Sequence, residues 1–91
     1  MSRINKIVKK LLENPEKEYG LSEITQEGLF PWAKDFKTIS LIVGRDMRAD
    51  NLLKTKVIGE RQGRRYVIKA KNIAKFLETY GAGLMIIKSR N

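Results

Sequence analysis

A chain of 91 residues with neither cysteine nor histidine has to fold on apolar burial alone. No disulfide can close it, and no thiolate or imidazole can hold a structural metal. One core is within reach at this length and two are not, because independent cores usually need ~50–200 residues. The expectation is a single domain over residues 1–91 with an apolar C-terminal extension at 82–91. The same two absences remove thiol nucleophiles, iron–sulfur clusters and the usual general base near neutral pH, so no cofactor and no metal are expected. The longest apolar run, residues 84–87, falls far short of the ~18 residues a membrane span needs. Lys9 and Lys10 interrupt the first apolar stretch, so no secretory leader is expected and the cytoplasm is the anticipated compartment.

Periodicity divides the chain. Ile4, Ile7, Val8, Leu11 and Leu12 recur on one helical face, with Ser2 placed to cap the start and Asn14-Pro15 placed to stop the helix. A very short strand is expected at residues 19–21. Ser22 then caps a short second helix to about Glu27, and Gly28 ends it. Phe30 and Trp32 fill core. A third helix begins after Asp35, which caps it. Phe36, Ile39, Val43 and Met47 form its apolar stripe, and Thr38, Leu41, Arg45 and Arg48, joined by Lys37, lie opposite.

Beyond Arg48 the period changes. Residues 57–59 and 66–68 are β-branched or aromatic runs around Arg61-Gln62-Gly63-Arg64, which predicts a hairpin with Gly63 at the positive φ of its turn. Glu60 then faces Arg65 and Val57 faces Ile68. Val57, Tyr66 and Ile68 share the core side, while Lys56, Arg65 and Lys69 turn outward with Ile58 and Val67. Asn72 is expected to cap a fourth helix with Ile73, Phe76, Leu77 and Tyr80 on its apolar face, ended by Gly81. Residues 83–87 are β-prone.

The net charge of +9 is not spread evenly. In residues 1–30 five basic groups balance five acidic ones, so residues 31–91 carry the whole excess. Residues 54–71 alone hold seven basic groups against Glu60. Solubility does not require such clustering, whereas a polyanion partner does, and nucleic acid is the polyanion expected.

In order, the elements are helix, short strand, helix, helix, basic hairpin and helix. That α+β order resembles the winged helix-turn-helix DNA-binding domains: a three-helix core, a basic β-hairpin wing and a C-terminal helix. Leu11-Leu12-Glu13-Asn14-Pro15-Glu16-Lys17-Glu18-Tyr19, followed by Leu21-Ser22-Glu23-Ile24, looks like the first-to-second helix junction of small prokaryotic transcription regulators. Gly63-Arg64-Arg65-Tyr66-Val67-Ile68, followed by Ile73 and Phe76-Leu77, is similar to the wing and following helix of excisionase-like domains. Phe30-Pro31-Trp32 lengthens the segment before the third helix. Either that helix starts earlier than Asp35 or a loop replaces the tight turn.

The resemblance implies a nucleoid-associated transcriptional regulator that binds double-stranded DNA in a sequence-specific manner. Its third helix would lie in the major groove and its wing on phosphates or the minor groove. It assigns Lys37, Thr38, Ser40, Leu41, Arg45 and Arg48 to the groove-facing side. Arg45 and Arg48 suit bidentate contacts to guanine, Thr38 and Ser40 hydrogen bonds, and Leu41 a thymine methyl. On the wing, Arg61, Arg64 and Arg65 surround the tip, with Lys54, Lys56 and Lys69 along the strands. Gly44 either permits close approach of DNA or packs against another helix.

Residues 84–87 invite two readings: cover for the Ile58/Val67 side of the hairpin, or a homodimer contact through residues 81–91 that spaces two recognition helices by one DNA turn. Two other binding functions stay open, RNA or single-stranded nucleic acid and an accessory protein-interaction module. The first wants exposed aromatics, and only Tyr19 lies off the expected core faces. An enzyme is not expected. Asp35, Asp46 and Asp50 could in principle hold a magnesium ion for nuclease chemistry, but capping and local pairing with Lys or Arg account for them.

Overall fold

The computed structural model describes residues 3–49, 51–60 and 63–90, with residues 3 and 81–90 as helical backbone only. Seven elements follow in order: α1 (Arg3–Glu13), β1 (Glu18–Gly20), α2 (Leu21–Glu27), α3 (Phe36–Arg48), β2 (Lys56–Ile58), β3 (Arg65–Lys69) and α4 (Ala70–Arg90). The architecture is α+β, four helices with one three-stranded antiparallel sheet in the order β1-β3-β2. Among the described residues no helix is long and apolar enough to cross a membrane.

Helix α1 buries Val8 and Leu11 and half-buries Ile4 and Ile7, packing against α4. Leu12, at the margin of the predicted stripe, is exposed. Ser2 lies outside the described residues. The chain then leaves the helix at Asn14-Pro15 and enters β1 one residue earlier than its pattern suggests. Because β1 runs directly into α2, Ser22 falls inside the helix and cannot cap it. Gly20 occupies the N-cap position, and its N–H donates to Glu23 Oε1 at 3.2 Å. At the other end Gly28 takes a left-handed φ of 62°, and its N–H with that of Leu29 closes the last turn.

Residues 28–35 form a loop between α2 and α3, so the lengthened segment replaces the tight turn. Leu29, Phe30 and Ala33 are buried in it. Phe30 stacks on Trp32 with ring centroids 5.4 Å apart and meets Phe76 of α4 at 5.6 Å. Helix α3 starts as expected. Asp35 Oδ2 accepts from the Thr38 N–H at 3.2 Å, while the Thr38 hydroxyl donates to Asp35 Oδ1 at 2.7 Å. Its buried face is Ile39, Val43 and Asp46. Phe36 and Met47 therefore do not belong to the core stripe. They lie on its flank, and Phe36 is 49% exposed.

Beyond α3 the carboxylate of Asp46 accepts the N–H groups of Leu52 at 3.0 Å and Leu53 at 2.9 Å. It thereby fixes the turn that carries buried Leu53 into the core. In the hairpin Val57 pairs with Tyr66 and Ile58 with Arg65, two residues away from the predicted register. A two-residue shift keeps side-chain parity, so Val57, Tyr66 and Ile68 still share one side of the sheet. Only Ile68 is fully buried there; Tyr66 is half-buried and Val57 exposed, because β2 is an edge strand. Among the described residues of the hairpin loop a positive φ sits at Gly59 (98°). A Cβ at Gly59 would come within 2.6 Å of the Gly63 carbonyl oxygen, so the wider loop closes on glycine.

Helix α4 begins at Ala70, two residues before the predicted cap Asn72. Strand β3 delivers it directly, and the N–H groups of Ala70 and Lys71 donate to the carbonyls of Lys17 (2.8 Å) and Pro15 (3.0 Å). The α1–β1 loop thus serves as the cap. Ala70, Ile73, Ala74, Phe76 and Leu77 are buried and Tyr80 half-buried. The backbone stays helical through Gly81 to Arg90, so residues 83–87 are not strand. A single Gly costs a helix only about 1 kcal/mol, which does not by itself force an end.

Candidate nucleic-acid interface

Helix α3 owes its orientation to the burial of Ile39, Val43 and Asp46. At 100° per residue the opposite face carries Lys37, Leu41, Gly44, Arg45 and Arg48. Lys37, Leu41, Arg45 and Arg48 are all exposed, Leu41 to 57%. A Cβ at Gly44 would meet nothing within 4 Å. Close packing against another helix is therefore not the reason for that glycine, and the backbone there is open to an approaching molecule.

Two predicted groove residues are placed differently. Thr38 is half-buried with its hydroxyl and N–H both given to Asp35, and those two hydrogen bonds hold the Asp35 carboxyl below its ordinary pKa. Ser40 is half-buried and lines a cleft of about 500 Å³ between α2, α3 and the start of β3. Phe36 lines the same cleft from α3, and Arg64, Arg65 and Tyr66 line it from the hairpin. Sheet order explains the meeting. β3 is the central strand, anchored on β1, and its first residues project toward the start of α3.

By strand alternation Arg65 shares its side of the sheet with Lys56 and Lys69. Lys54 and Lys56 are exposed, while Lys69 is bound to Glu16 at 2.9 Å, as is Lys71. Hydrogen bonds from Lys71 and Lys69 hold Glu16 below the ordinary glutamate range, and Glu16 in turn raises Lys69. Lys69 is thus not a free flank cation. Arg61 lies outside the described residues. Among the described residues the ion pairs engage Lys10, Lys69 and Lys71, and none involves Arg45, Arg48, Lys54, Lys56, Arg64 or Arg65.

Asp35 and Asp46 are committed to backbone N–H groups at opposite ends of α3, and Asp50 lies outside the described residues. Tyr19, expected to be free for stacking, is buried with the Lys17 ammonium 4.8 Å above its ring. Phe36 is instead the exposed aromatic of the cleft. Its position 60° from the centre of the buried face was the available signal, and it needed Asp46 to be recognised as part of that centre. No known protein family, curated protein or solved structure matches the chain.

Proposed function

We propose that the protein is a winged helix-turn-helix domain that binds double-stranded DNA, with sequence read by α3 and the hairpin tip on the backbone. One observation carries the reading. The exposed cations Arg45 and Arg48 on α3 and Arg64 and Arg65 on the hairpin, which make no ion pair among the described residues, belong to two elements that share a cleft. That pairing, a cationic helix face beside a cationic ribbon, suits a major groove and its flanking phosphates. Arg45 and Arg48 present guanidinium forks for guanine O6 and N7, and Leu41 beside them is free to meet a thymine methyl. Lys37 serves a phosphate. Because a loop joins α2 to α3, the reading rests on the exposed face of α3 and not on the docking angle of a tight turn.

One feature speaks for single-stranded nucleic acid instead. Phe36 is exposed beside Arg64 and Arg65, an aromatic platform next to guanidinium groups. Fluorescence anisotropy with random duplex DNA and single-stranded RNA across a salt series separates the two. Duplex binding is expected to fall with a log–log slope near −4.5 if about five phosphates are neutralised. Arg45→Ala/Arg48→Ala and Arg64→Ala/Arg65→Ala should each weaken it at least tenfold, at about 1.4 kcal/mol per decade. No duplex binding at low salt excludes the duplex reading. Tight RNA binding lost in Phe36→Ala would replace it with the single-strand one.

A further inference from the structure

The cleft beside α3 continues across the sheet. A smaller cleft of about 270 Å³ lies toward the start of α4, and Glu18 and Val67 line both, so the two form one furrow. Strand register decides what stands along it. On the outer side of the sheet Arg65, Val67 and Lys69 follow one another along β3, with Lys56 opposite Val67 on one flank and Gly20 on the other. Gly20 has no side chain, so the middle of the furrow is low, with half-buried Val67 as an apolar floor. Arg64 and Arg65 line the end at α3, and Lys54, Lys56, Lys69 and Lys71 line the end beyond Val67. Arg65 and Lys69 stand about 13 Å apart along the extended strand. Three carboxylates stand against these cations. Glu16 binds Lys69 and Lys71 at 2.9 Å each, Glu18 faces Lys69 in the register, and Glu23 accepts the N–H of Gly20. The cations outnumber them, and the furrow stays positive.

The two ends differ in chemistry. At α3, Phe36 is half exposed and shares a row of the helix with Ser40, one turn further on, which also lines the furrow. The next row carries Lys37 and Leu41, on the side that presents Arg45 and Arg48. Among the described residues no aromatic ring lines the other end, where the charged donors are ammonium groups. A ring beside guanidinium groups takes an unstacked base, and ammonium groups in a row take phosphates without regard to sequence. Inside a duplex every base is covered on both faces by its neighbours. Phe36, next to the side of α3 that suits a duplex, can therefore stack only where pairing ends and a base face comes free.

We infer that the preferred ligand is a duplex that continues into a single strand. Its paired part lies on the exposed face of α3, its first unpaired base on Phe36, and the phosphates of the unpaired strand along the furrow over Val67 toward Lys56 and Lys69. The inference rests on the duplex reading above for the paired part and adds the unpaired strand to it.

Fluorescence anisotropy on the full chain tests this with a blunt duplex, the same duplex carrying a 3′ or a 5′ overhang of about six nucleotides, and the overhang strand alone. The readout is the ratio of blunt to overhang Kd, taken separately for each protein. Wild type is expected to bind one of the overhang duplexes about tenfold more tightly than the blunt one. Phe36→Leu keeps apolar bulk without the ring and should bring the ratio close to one, whereas Phe36→Trp should keep it. Lys56→Ala, in the middle of the furrow, should lower the ratio about threefold through loss of a phosphate contact. Circular dichroism checks that each variant folds. A wild-type ratio near one overturns the inference and leaves the duplex reading standing. A raised ratio that is unchanged in both Phe36→Leu and Lys56→Ala also overturns it, since the strand would then lie elsewhere. An overhang strand that alone binds as tightly as the whole ligand overturns both readings, as does failure to bind any of the duplexes at low salt.

Discussion

Asp46 shows how one side chain can reverse the apparent meaning of a pattern. By its spacing it falls on the flank of the apolar stripe of α3, and as a carboxylate it would be expensive to bury there unless hydrogen-bonded. It is only 6% exposed, and the N–H groups of Leu52 and Leu53 supply the partners. Removing it would strand two donors in a turn that anchors a buried leucine. Asp46→Ala is expected to cost about 2–4 kcal/mol, since hydrogen bonds to charged groups contribute more than neutral ones and buried donors left unpaired carry a further penalty. Asp46→Asn keeps an acceptor in place and should lose roughly half as much. Urea denaturation of the two variants checks the order; equal losses would mean that packing and not hydrogen bonding sets the cost. The sequence shows a charged residue at that position, but nothing in it shows which backbone groups would turn back to meet the carboxylate.

Among the elements, α4 starts without a side-chain cap because a loop distant in sequence does the capping. Lys17 and Pro15 accept its first N–H groups, and Glu16, between them, grips Lys69 and Lys71 on the other side of the junction. The clamp has a pH signature. Glu16 is depressed, so its contribution is present above the ordinary glutamate value and is lost as pH falls through its lowered folded value. Lys69 is raised, so its contribution is present below the ordinary lysine value and is lost as pH rises through its raised folded value. The stability difference between wild type and Glu16→Gln should be flat across neutral pH and shrink at both extremes. A difference that persists unchanged into strong acid would assign it to something other than these charges. Asn72 made a reasonable cap by its type. The true cap is tertiary and leaves no trace within the helix.

At the scale of the molecule the aromatic layer joins the two halves of the chain. Phe30 and Trp32 come from the loop before α3, and Phe76 and Tyr80 from α4, with Phe76 and Tyr80 centroids 5.4 Å apart. Phe30 is buried and central to the layer. Phe30→Ala should cost about 3–5 kcal/mol, the usual range for emptying a large aromatic site. The single Trp, half-buried against Phe30, gives the readout: its emission should report one cooperative unfolding transition, shifted to lower denaturant in the variant. A loss below 1 kcal/mol would show that the layer is not part of the shared core. Sequence reasoning placed Phe30 in the core from its aromatic neighbours, but it assigned no partner, because the contact crosses more than forty residues.

By itself the sequence determined the order of the elements, the cap at Asp35, the left-handed end at Gly28 and the exposed cationic side of α3. Each follows from interactions within a few residues, where propensity and a fixed period decide. Only the tertiary structure decided the hairpin register, the exposure of Phe36, the burial of Asp46 and the cap of α4, because each depends on which distant group arrives opposite. Charge density along the chain shows how many cations there are, and strand pairing sets the direction in which each one points.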